Sequence, residues 1–69
     1  MDKVSLGSSH SETGLLLRQR EWLILQRDGG GRWRLEADMK LEHLLGQRVL
    51  VEGIRSGFDV LEVIRIGPC

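Results

Sequence analysis

A single cysteine, Cys69, leaves no internal disulfide to form, which excludes the stapled scaffolds of small secreted domains. The only proline is Pro68, so nothing forbids a continuous strand ladder before it. No apolar run approaches the roughly 20 residues of a membrane span. Residues 1–13 lack the apolar stretch of a secretory signal, and cytoplasm is the expected compartment. Charge of one sign is also missing. Ten basic residues balance ten acidic ones, whereas nucleic-acid binders usually carry a clear basic excess. The two histidines, His10 and His43, and Cys69 are scattered without ligand spacing, so no metal or cofactor is expected. No serine or cysteine stands in a nucleophile motif with a histidine, and the chain reads as non-enzymatic.

What remains is a chain of 69 residues, 41% hydrophobic, with nine glycines. That is one soluble domain with a modest core. Residues 1–12 are small and polar and predict a flexible N-terminal arm; the alternation of Val4 and Leu6 leaves a short edge strand open. The domain proper spans residues 13–67, and residues 68–69 form a tail. Thr13 to Arg18 predicts a first strand, with Gly14 marking a bend. Gln19-Arg20 breaks it, and Glu21 to Arg27 predicts a second. Asp28-Gly29-Gly30-Gly31 supplies the positive φ angles of a hairpin. Arg32 to Ala37 alternates strictly, with Trp33 and Leu35 on one face and Arg32, Arg34 and Glu36 on the other.

The period then changes. Leu41, Leu44 and Leu45 have helical spacing, Asp38 can cap, and Gly46 can stop, which predicts a two-turn helix over Asp38 to Leu45. A helix so short must plug against something, such as the open end of a barrel. Arg48 to Arg55 and Phe58 to Ile66 predict two further strands, with a bulge at Gly53 and a change of facing near Val60. The expected core is Leu15, Leu17, Ile24, Trp33, Leu35, Leu41, Leu44, Leu45, Val49, Val51, Leu61 and Val63.

The predicted fold is all-β with one short helix: a five-stranded OB-like Greek-key barrel in the order β-β-β-α-β-β. An SH3-like barrel has as many strands but usually only a late 3₁₀ turn. The stretches Thr13 to Leu17, Asp28 to Leu35, Leu44 to Val49 and Val51 to Arg55 resemble a domain-of-unknown-function family of short bacterial proteins with an OB-like barrel. The resemblance covers about residues 13 to 66 and implies the fold without implying an activity.

The glycine-rich Asp28 to Arg32 segment is a hairpin turn and not a phosphate loop, because a strand follows it where a helix would be needed. Trp22 and Trp33 are open to either core or surface roles. Arg18, Arg20, Arg27, Arg32 and Arg34 face only Glu21, Asp28 and Glu36 over residues 18–36. Arginine outnumbers lysine eight to two. The expected function is a binding module that contacts a protein partner, by strand pairing at an exposed edge, as a monomer or weak homo-oligomer. The alternative is weak binding of single-stranded nucleic acid through Trp22, Arg27, Arg32 and Arg34 on strands two and three. A third reading places a small anion or ligand at the barrel mouth.

Overall fold

A computed structural model describes residues 7–69. Five strands form: β1 Ser9–Gln19, β2 Trp22–Arg27, β3 Arg32–Glu36, β4 Arg48–Arg55 and β5 Val60–Pro68. They close into a barrel in the order β1-β2-β3-β5-β4. Every neighbouring pair is antiparallel except β3 and β5, which run parallel over Arg34–Glu36 and Val60–Glu62. Among the described residues no helix is long and apolar enough to cross a membrane.

Strand β1 starts earlier than the sequence predicts. Ser9 to Glu12, assigned to the flexible arm, pair with Ile54 to Val51 of β4, so their polar side chains alternate along a ladder instead of fraying. The rest of the predicted arm, with Val4 and Leu6, lies outside the described residues. At the other end, β5 runs to Pro68, which partners Val49. Pro68 ends the ladder where no further donor is required, and the Cys69 N–H still reaches the Arg48 carbonyl at 3.0 Å.

Gly14 is the pivot of β1. It partners Val49 of β4 and Arg27 of β2, so the strand passes here from one neighbour to the other. A Cβ at Gly14 would collide with the Gln26 carbonyl, and only glycine permits this approach. The crossing sets the phase of the next three residues. Leu16 points inward with no exposure, while Leu15 is exposed and Leu17 only half-buried. The expected core positions Leu15 and Leu17 are therefore corrected to Leu16.

The core joins Leu16, Leu25, Trp33, Leu35, Leu41, Leu44, Val49, Val51, Leu61 and Val63, with Leu45 half-buried against it. Burying each of the largest of these contributes about 1.5–3 kcal/mol. Ile24 is buried but stands outside this cluster, opposite Leu17 and Arg34. On β5, Arg65 partners Glu52 and Val63 partners Gly53, leaving Ile64 as an extra residue. This bulge moves the inward phase from Leu61 and Val63 to Ile66, which packs on the core. A Cβ at Gly53 would lie 2.6 Å from the Glu62 carbonyl oxygen, so the irregularity again needs a bare backbone.

The predicted α-helix is absent. Only a 3₁₀ turn, Glu42–Leu44, forms, entered at Leu41 without a side-chain cap, and Asp38 plays no capping part. Gly46 donates to the Leu16 carbonyl at 2.7 Å, and Leu16 donates to the Gln47 carbonyl at 3.0 Å. These bonds commit Gly46 and Gln47 to β1 and leave too little chain for two α-turns with a costly nucleus. Leu41 and Leu44 still plug the barrel end, as their spacing predicts.

Candidate functional site

Alternation on β1, β2 and β3 sends one set of side chains to the outer face. Arg34 partners Ile24, Ile24 partners Leu17, Trp22 partners Gln19, and Arg32 partners Gln26. Three of the four predicted site residues, Trp22, Arg32 and Arg34, meet on this face. Trp22 is 41% exposed, and the Arg34 guanidinium carbon lies 4.3 Å from its ring centroid. Arg32 donates weakly to Gln19 at 3.4 Å. The patch forms a shallow depression lined by Gln19, Trp22, Ile24, Arg32, Trp33, Arg34 and Asp59.

Four of the eight arginines are paired with carboxylates, and the two on this face are not. Among the described residues, Arg18, Arg27, Arg48 and Arg65 each meet a carboxylate. Arg32 and Arg34 meet none, and the Arg34 Nε is buried without an acceptor. The cross-strand salt bridges that would make this face inert are missing.

Arg27 is not part of this face. Its phase is that of Leu25, and it turns toward the mouth of the barrel, where its Nε donates to Glu12 at 3.1 Å. There it joins residues that the sequence does not single out. The His10 ring lies 5.2 Å from the Trp33 ring. The Arg55 guanidinium lies 5.7 Å from Trp33 and 5.6 Å from Phe58. Its Nε reaches the carbonyls of Gly57 and Phe58 at 3.0 and 3.1 Å. Trp33 is core, only 8% exposed, and its Nε1 has no acceptor. A cue was present in the sequence: Arg55 keeps the phase of Val49, Val51 and Gly53, and His10 and Glu12 keep the phase of Gly14 and Leu16. It shows only once β1 is known to begin at Ser9.

Ser8 Oγ and His10 Nε2 lie 2.9 Å apart, and His10 Nδ1 faces Glu12 at 3.6 Å. The order resembles a hydroxyl-imidazole-carboxylate relay. The second contact is too long for a hydrogen bond, and Glu12 is already engaged by Arg27. Arg27 is what neutralises this half-buried carboxylate. Among the described residues, no three His, Cys, Asp or Glu side chains gather as metal ligands.

At the outside of the β2–β3 turn, Asp28 accepts from Thr13 Oγ1 at 2.8 Å and from the Arg48 guanidinium. The Arg48 bonds chiefly, and Thr13 next, hold its carboxyl below the ordinary value. This latch ties the turn to β1 and β4 beside the Gly14 crossing.

No curated protein and no solved structure matches the chain. The profile of the family described as "Protein of unknown function (DUF5818)" matches residues 13–69, the span from just before the Gly14 crossing to Cys69 just past β5, and the chain belongs to that family.

Proposed function

We propose that the protein is a non-enzymatic binding module on an OB-like barrel, taking single-stranded nucleic acid on the outer face of β1, β2 and β3. The β1-β2-β3-β5-β4 order, with a first strand shared between two neighbours, supports the OB-like description. That fold uses the face of its second and third strands for oligonucleotides. The observation that carries the reading is Trp22, half exposed, beside two arginines without carboxylate partners. An indole and a guanidinium plane offer stacking surfaces to any base, and Arg32 and Arg34 offer charge to the phosphates. Overall neutrality does not oppose this, because Glu12, Asp28, Glu42 and Glu52 are engaged with other arginines while Arg32 and Arg34 meet no carboxylate among the described residues. Recognition would tolerate many sequences, since nothing on the face forms a fixed donor and acceptor pattern.

A protein partner added as a further strand is the weaker reading. Strand addition needs an open edge, and each strand here has a neighbour on both sides. A cytoplasmic setting accords with the single thiol.

The test is fluorescence anisotropy of a labelled mixed-sequence single strand at low salt. Wild type should bind at about 1–100 µM with affinity falling as salt rises. Trp22→Ala should weaken binding by about tenfold. Arg32→Gln and Arg34→Gln should each lower the salt slope by about one. No anisotropy change with wild type at about 100 µM removes this reading.

A further inference from the structure

We infer that the charged mouth of the barrel is a second binding site, for a small planar organic monoanion. The argument starts from strand phase. His10 and Glu12 on β1, Arg27 on β2, Trp33 on β3 and Arg55 on β4 share the inward phase of Leu16, Leu25, Leu35 and Val51. Inward positions of a small barrel are normally filled by apolar side chains. A core needs no guanidinium there, and this mouth has two.

A cavity of about 270 Å³ opens among them, lined by His10, Arg27, Trp33, Arg55, Phe58 and Asp59, with Arg32 on its rim. At about 30 Å³ per water, it has room for one ring with a small substituent. Two of its walls lack something that such a molecule supplies. Arg55 is held in place through Nε and Nη2 by the carbonyls of Gly57 and Phe58, and among the described residues it has no carboxylate partner. Phe58 is 77% exposed beside that guanidinium, an apolar ring left in water.

Charge sets the valence of the ligand. Arg27, Arg32 and Arg55 stand against Glu12 and Asp59, which leaves one positive charge. Glu12 is taken up by Arg27 at 3.1 Å, and Arg55, fixed beside Phe58 without a carboxylate partner among the described residues, is a cation open to an incoming anion. A carboxylate on an aromatic ring fits: its oxygens accept from Arg55, and its ring lies against Phe58. A polyphosphate would meet Asp59 and Glu12 with too few cations.

The test uses benzoate as the probe and the two indole N–H signals of the 15N-labelled protein as the readout. Adding benzoate to about 20 mM, enough to saturate a millimolar site, should move the Trp33 indole signal along a saturating curve and leave Trp22 in place. Phe58→Ala, an exposed position that keeps the fold, should weaken binding by about threefold or more. Arg55→Gln should weaken it by about tenfold, its spectrum showing at once whether the barrel persists. A Trp33 signal that stays still, or shifts equally in Phe58→Ala, overturns the site. Inorganic phosphate binding as well as benzoate overturns the aromatic part. Oligonucleotide binding is read by the anisotropy of the labelled strand and benzoate binding by the Trp33 indole signal, so either reading can fail without the other.

Discussion

At one end of the barrel Leu41 and Leu44 fill the opening, and Gly46 and Gln47 after the 3₁₀ turn are bonded to Leu16 behind them. At the other, His10, Glu12, Arg27 and Arg55 occupy the same inward phase, and a cavity lined in part by His10, Arg27 and Arg55 stays open. The strands are continuous from end to end, so the contrast belongs to side chains and not to backbone. Apolar residues at the plugged end gain by leaving water. Charged residues at the mouth are tolerated because Arg27 neutralises Glu12 and backbone carbonyls hold Arg55. An inward position is therefore a statement of direction, and only its depth decides whether it is core.

The contrast breaks most sharply at Leu16. Leu16→Asp puts an unpaired charge in the fully buried layer, where desolvation exceeds the stability of so small a domain. Circular dichroism and amide spectra should show an unfolded chain, while Leu15→Asp, one residue away on the outside, should stay folded. Equal tolerance at the two positions would mean that the strand phase is wrong. The next test sets one end against the other. Leu44→Ala should cost about 2–5 kcal/mol by urea unfolding. Phe58→Ala, at the mouth, should change stability by no more than about 0.5 kcal/mol. A large loss at Phe58 would make the mouth a second core.

The smallest effect concerns Asp28. Its folded carboxyl titrates below the ordinary value because Arg48 and Thr13 bond the ionised form. A group depressed in this way stabilises fully above its unfolded value and loses that contribution as pH falls through the folded one. The wild-type urea midpoint should therefore drop more steeply than that of Asp28→Asn below about pH 4. Parallel curves would show that the latch contributes nothing.

The strands were legible wherever turn residues bounded them. Asp28 to Gly31 marks the β2–β3 hairpin, and the strict alternation of Arg32 to Glu36 fixes Trp33 and Leu35 as inward. Leu15-Leu16-Leu17 has no alternation to read, and its phase comes from a backbone crossing at Gly14 that no local pattern announces. Val60 is buried beside Leu61 for a similar reason, since the chain has just left a tight turn. The helix failed because Gly46 and Gln47 are claimed by β1, a tertiary demand that overrides the spacing of the leucines. Of the candidate site, Trp22, Arg32 and Arg34 were legible from alternation alone. Arg27 was misplaced because it sits two residues past Leu25 and keeps that inward phase. The mouth cluster was hidden because His10 and Glu12 lie in residues read as an arm.

The parallel join of β3 to β5 covers only Arg34–Glu36 against Val60–Glu62, with one more bond from the Arg34 N–H to the Asp59 carbonyl at 2.8 Å. A closed sheet is as persistent as its shortest ladder, so this seam is where the ring should part first under thermal motion, exposing two strand edges at once. Both proposed sites border it, through Arg34 on one side and Asp59 on the other. Occupying either one would work as a clasp, and amide exchange at Leu35 and Leu61 would slow before any change in shape could be seen.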